Sequence, residues 1–293
     1  MKKIGFLSLL AACIFAACSE SDSSVDQQPA PQRLITVEVS ENPLTDEATG
    51  APALGITRTA NYTTTESLHE FSMNYTGSYK YNFTKSGSTW TSSLSAWPVE
   101  DDNVQIDFYA YTGGTFNYNG GNPYVVFTVN SDASTQHDLL VAKKKVAYSD
   151  DDGKVGLSFD HACAVVQFNI GQSSTLHNQP VTYTSIALVG AKNSGKYYYN
   201  SAWGDLDLTG DVTCTMESAS NITIPVSTTA HAGARPLSCG YLFMIPQNHS
   251  DAKIRIDYTK GGVSNTAYIP LTIDWQAGHL YTINVRLGTS IIN

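Results

Sequence analysis

Few residues of this sequence are spaced for chemistry. Asp160 and His161 are adjacent, a pairing suited to acid–base catalysis, but His161 opens the apolar run His161-Ala162-Cys163-Ala164-Val165 and has no nucleophile beside it. The expectation is a structural histidine, hydrogen-bonded at a domain junction. Asp205 and Asp207 alternate with Leu206 and Leu208, which places them on the solvent face of a strand instead of facing each other as catalytic carboxylates. Cys163, Cys214 and Cys239 are too widely spaced for a zinc site and odd in number for a disulfide framework, so buried thiols are expected. Ser149-Asp150-Asp151-Asp152-Gly153-Lys154 lacks the register and distal Glu of a calcium loop and reads as a turn or link. Nucleophile-elbow, zincin, phosphate-loop and dinucleotide motifs do not occur. No enzyme, cofactor or metal site is therefore expected, and the remaining chemistry is chemistry done to the chain. Arg58, in Gly55-Ile56-Thr57-Arg58-Thr59, follows a loop rich in Pro, Gly and Ala, where proteases cut, and Arg33 is the alternative cleavage point.

What Arg58 would release is a strand. In Arg33–Ser40, Ile35, Val37 and Val39 alternate with Thr36, Glu38 and Ser40, the period of a strand with one buried face. Glu41 to Gly55, with Pro43, Gly50 and Pro52, reads as an exposed loop. Short alternating segments continue along the chain, among them 68–75, 78–83, 104–111, 124–129 and 137–142. After the 149–154 break come 155–159, 161–170, 186–189, 222–226, 241–245, 253–258 and 281–287. In the second group Val166, Phe168 and Ile170 share a face. With 17 Tyr, 22 Gly and few helical stretches, the composition predicts an all-β protein, and the layout predicts two tandem β-sandwich domains, 33–148 and 149–293. A net charge of −9, with Lys143-Lys144-Lys145 as the one basic cluster, argues against a nucleic-acid partner. Tyr197-Tyr198-Tyr199 with Trp203, and Phe116, Tyr118 and Tyr124, could form stacking platforms for a host glycan or protein, or could pack within hairpins.

The N-terminus supplies an address. Lys2-Lys3, an apolar stretch from Ile4 and small residues before a cysteine make a secretion signal too short to span a bilayer. The small residues resemble the bacterial lipobox, whose cysteine is diacylated and becomes the new N-terminus. Cys18 gives the fuller apolar region and is followed by the acidic leader Ser19-Glu20-Ser21-Asp22-Ser23-Ser24; Cys13 is the alternative. Residues 1–17 are thus read as a lipoprotein signal peptide and 18–32 as a polar linker. The leader resembles tags that send lipoproteins to the outside of the outer membrane.

The order of motifs is similar to that of the fimbrillin family, the lipoprotein pilins of type V pili. The residues that carry the resemblance are the lipobox at Cys18, Thr57-Arg58, Trp97-Pro98 with 104–111, and Asp138-Leu139-Leu140-Val141-Ala142. They continue with Leu157-Ser158-Phe159-Asp160-His161-Ala162, Phe243-Met244-Ile245-Pro246-Gln247 and Trp275-Gln276-Ala277-Gly278-His279-Leu280-Tyr281. The resemblance implies two transthyretin-like β-sandwich domains and a surface-exposed outer-membrane lipoprotein, held by its lipid anchor until processing. It further implies that an Arg-specific protease cuts after Arg58, withdrawing the plugs Ile35, Val37 and Val39. The groove left behind would take an extended segment of another pilin subunit by donor-strand exchange, joining the protein to a fimbrium. Cutting at Arg33 would leave the strand in place. Polymerising members carry a long C-terminal donor appendage, whereas Gly288–Asn293 span at most about 20 Å. A tip or accessory subunit is therefore expected, with a monomeric surface adhesin as the alternative.

Overall fold

A computed structural model describes residues 33–53, 68–75, 80–172, 181–207, 212–215, 222–224, 235–248, 252–287 and 290–292. The strands of the first half are β1 (Thr36–Glu41), β2 (Leu44–Asp46), β3 (Pro52–Ala53), β4 (Glu70–Tyr75), β5 (Lys80–Ser86), β6 (Thr89–Ser92), β7 (Ile106–Tyr111), β8 (Thr115–Asn119), β9 (Asn122–Thr128), β10 (Leu140–Val146) and β11 (Lys154–His161). Those of the second half are β12 (Ala164–Gln172), β13 (Val181–Val189), β14 (Ser194–Tyr198), β15 (Ala202–Asp207), β16 (Val212–Thr215), β17 (Ile222–Ile224), β18 (Arg235–Met244), β19 (Lys253–Lys260), β20 (Val263–Pro270), β21 (His279–Leu287) and β22 (Ser290–Ile292).

The all-β expectation holds, and two sandwich cores are present. The first lies within the sheet β1-β11-β10-β7-β4-β5-β6. Ile35, Val37 and Val39 pack there with Val155, Leu157 and Phe159 from β11 and with Phe71, Phe83 and Phe108 from the strands opposite. Phe71 and Phe159 meet edge to face at 5.2 Å between ring centroids. β11 pairs with β10 only at Leu140↔His161 and Val141↔Asp160, and gives its remaining length to β1. The second core lies between two sheets, β18-β12-β21-β2-β3 and β16-β13-β19-β20. Val166, Phe168 and Ile170 share its inner face as the alternation predicts, opposite Leu188, Ile254 and Ile256.

Two expectations need correction. The second domain was expected to begin at 149, but β11 belongs to the first sheet, because Val155, Leu157 and Phe159 are needed to close the first core over β1. Residues 41–55 were expected to be an exposed loop. Instead Leu44 is only 1% exposed, and β2 and β3 form a hairpin on the edge of the second sheet. Strands of three and two residues are too short for periodicity to reveal, and their pairing partner, β21, lies far along the chain.

The halves are also stitched together. β9 from the first half pairs with β14 from the second over Thr128↔Ser194 to Tyr124↔Tyr198, in a sheet ordered β15-β14-β9-β8. Beneath this sheet a third core gathers Tyr111, Val125, Leu139 and Val141 with Val165, Phe243 and Leu280.

Candidate functional site

The segment proposed for removal runs along the edges of both sandwiches. β1 lies parallel to β11 from Thr36↔Lys154 to Glu41↔Phe159, and the Asn42 amide continues the ladder to the Phe159 carbonyl at 2.9 Å. After Pro43, β2 lies parallel to β21, with Thr45 opposite His279 and Asp46 opposite Leu280. The Thr45 amide donates to Gly278 at 2.8 Å and the Glu47 amide to Leu280 at 2.9 Å. Gly278 makes this approach possible, since its φ of 74° turns the chain before β21 through a conformation that side-chain-bearing residues avoid. Residues 36–46 thus form one extended track across two sheets.

Its apolar anchors are unequal. Ile35 is 3% exposed and Leu44 1%, whereas Val37 and Val39 are half-buried with their outward neighbours in solvent. Full burial of one such aliphatic side chain stabilises by about 1.5–3 kcal/mol. Ile35 and Leu44 are the main apolar anchors, and Leu44 was missed in the sequence because a lone Leu between Pro43 and Thr45 shows no period.

The start of the strand is clasped. Arg33 donates from Nη1 to the Val99 carbonyl at 2.6 Å, pairs with the Asp102 carboxylate and lies 4.8 Å from the centroid of the Tyr148 ring. Its own carbonyl accepts from the Trp97 amide at 2.8 Å. Both the side chain and the peptide bond that a protease would need are occupied. Gly153, at φ 80°, accepts from the Thr36 amide at 3.1 Å, and a Cβ there would lie 2.4 Å from the Leu34 carbonyl oxygen.

Two histidines face the track, one where β1 ends and one just past β2. His161, 5% exposed at the end of β11, places Nδ1 2.5 Å from Asp138 and Nε2 3.6 Å from Glu41 at the end of β1. Carboxylates only accept, so both ring nitrogens facing them favours the imidazolium. Burial pulls its pKa down, but the hydrogen bond and charge of Asp138, and then the charge of Glu41, outweigh it and leave the pKa raised. At the start of β21, His279 Nδ1 lies 2.6 Å from the Glu47 carboxylate. Between Glu47 and Tyr281 opens a cleft of about 440 Å³ lined also by Thr272, Ile273 and Asp274.

The other candidates have structural surroundings. His161 is hydrogen-bonded where β11 leads into β12, with Asp138 as a partner 23 residues away that sequence spacing did not reveal. The Cys163 thiol is fully buried, and burial, with the nearby Asp138 charge, pushes its pKa well above the ordinary range, so it stays protonated and unreactive. Cys214 and Cys239 lie on β16 and β18, and their side chains fall outside the described residues. Asp205 is exposed and accepts from Lys196 and Tyr198, both at 2.8 Å; the side chain of Asp207 lies outside the described residues. Phe116, Tyr197, Tyr199 and Trp203 pack into the third core, with the Tyr199 hydroxyl on the Ala110 carbonyl and the Trp203 indole on Ala162. Tyr118 is exposed, and the half-buried Tyr124 and Tyr198 rings lie tilted against each other with centroids 5.2 Å apart. Cys13, Cys18 and Arg58 lie outside the described residues.

With this geometry, comparison with known families is informative. The fimbrillin-like family model matches residues 44–293, from β2 to the last residue. The chain belongs to the fimbrillin-like family. It is similar to a fimbrial protein from Bacteroides vulgatus, with 14% identity, 89% of this chain and 98% of that chain covered, and a TM-score of 0.53. A candidate cell adhesion protein from Bacteroides uniformis gives 16% identity, 91% and 98% coverage and a TM-score of 0.49. Comparison with curated proteins gave no match. At such identities the Bacteroides vulgatus structure supports the sandwich fold of this fimbrillin-like chain, and function must be argued from the site.

Proposed function

We propose that this fimbrillin-like chain is a structural, non-catalytic subunit of cell-surface fimbriae. It is exported as an outer-membrane lipoprotein acylated at Cys18, cut after Arg58 by an Arg-specific protease, and assembled by donor-strand exchange. The observation that carries the reading is the track itself. Residues 36–46 are held on the edges of β11 and β21 by backbone ladders and by the plugs Ile35 and Leu44, so their withdrawal leaves unpaired edges and apolar sockets in both sandwiches. A domain is stable by only about 5–15 kcal/mol, so such a vacancy calls for a replacement strand, and β-augmentation supplies one.

Placement as a tip or accessory subunit draws support from β22, which folds back on β21 at Asn284↔Ile292 to Arg286↔Ser290 and is thereby engaged in its own sheet. The test is nicking of the full chain by an Arg-specific protease, followed by incubation with an extended segment from a partner pilin. Stable capture of that segment is expected; a nicked chain that captures none overturns the proposal. The Tyr124–Tyr198 pair, with Lys196 and Asp205 beside it on the outer face of the joining sheet, favours a second role in glycan adhesion. Retention on a glycan array that is lost in Tyr124→Ala and Tyr198→Ala supports that role, and no retention removes it.

A further inference from the structure

The track is selective in charge as well as in shape. The carboxylates of Glu41 and Glu47 each face a histidine of the body, at 3.6 Å from His161 Nε2 and 2.6 Å from His279 Nδ1. The remaining charged group against His161 is Asp138, itself 1% exposed, and the neighbouring Cys163 thiol is neutral. Beside His279 stands the Tyr281 ring, 6.3 Å away on its own strand. Lys154 and Glu38, 3.7 Å apart, form a third pair, but both are exposed at the rim, where an ion pair contributes little. If residues 33–58 leave, His161 keeps Asp138 but loses Glu41, and His279 loses Glu47. The two histidines then stand one at each sheet edge, turned toward the path an incoming backbone must follow. An apolar residue leaves the facing ring nitrogen without a partner, a glutamine offers an acceptor oxygen without the carboxylate's charge, and a lysine sets a positive charge against the His161 imidazolium.

We propose that the vacated track selects an extended segment of another subunit that carries two carboxylates, at the positions of Glu41 and Glu47, and apolar side chains at those of Ile35 and Leu44. The segment enters parallel to β11 and β21, as β1 and β2 lie, the direction in which an apolar residue six positions before the first acid reaches the Ile35 socket. This inference rests on the strand-exchange reading and adds a recognition rule to it.

The test separates the two. The nicked full chain is incubated with excess labelled peptide of sequence 33–47 and with Glu41→Gln, Glu47→Gln and double-Lys versions of that peptide. The native peptide is expected to exchange in, each Gln peptide to bind about tenfold more weakly, equivalent to about 1.4 kcal/mol, and the double-Lys peptide to fail. A His279→Gln chain, altered at a half-exposed side chain, is expected to bind the native and Glu47→Gln peptides equally. Equal exchange of native, Gln and Lys peptides overturns the recognition rule and leaves strand exchange standing. Failure of every peptide, the native one included, overturns both.

Discussion

At the scale of single residues, His161 is the most informative group. An adjacent Asp–His pair in the sequence hints at catalysis, yet the partner the fold supplies is Asp138, with Glu41 on the other nitrogen, and the nearby Cys163 thiol is buried and protonated. Its structural role was legible because His161 opens an apolar run; its partners were not, because they come from distant strands. The raised pKa sets the sign of a pH effect. A histidine whose folded pKa exceeds the ordinary value near 6.5 contributes stability that is fully present below that value and is lost as pH rises through the folded pKa. The unfolding midpoint is therefore expected to fall as pH rises above about 6.5, and Asp138→Asn is expected to flatten that slope. Thermal melts of both proteins across the range check this. A second outcome at this scale concerns Leu44: Leu44→Ala should cost about 2–5 kcal/mol, measurable by denaturant unfolding, despite its position in what looks like a loop.

At the scale of elements, β1 was readable and β2 was not. Ile35, Val37 and Val39 alternate cleanly, and the structure buries that face. β2 and β3 are too short to show a period and depend on Gly278 and β21 for their place. The clasp at the start of β1 yields a further expectation. Gly153→Ala puts a Cβ at φ 80° against the Leu34 carbonyl, so it should loosen β1 by more than about 1 kcal/mol. Amide exchange should then speed up in β1 and β11 and stay unchanged in β12 and β19; equal acceleration in all four strands contradicts a local clasp.

At the scale of the whole molecule, the sequence announced two sandwiches, and the structure adds what joins them. β9 pairs with β14, a third core unites the halves, and the 36–46 track touches the edge of each sandwich. Such pairings link residues far apart in the chain and leave no local pattern, which is why a boundary at 148/149 looked natural. With the halves sharing a sheet and a core, calorimetry should record one cooperative transition for the full chain; two resolved transitions contradict the shared core. The central claim is that the strand ahead of Arg58 is held for release and replacement. It is tested most directly by digesting the full chain with an Arg-specific protease and following intact masses while a partner's extended segment is added. The account predicts one early cut after Arg58, with Arg33 protected by Val99, Asp102 and Tyr148, and loss of the N-terminal fragment as the new strand enters. Early cutting at Arg33, resistance at Arg58, or a fragment that no added strand displaces contradicts it.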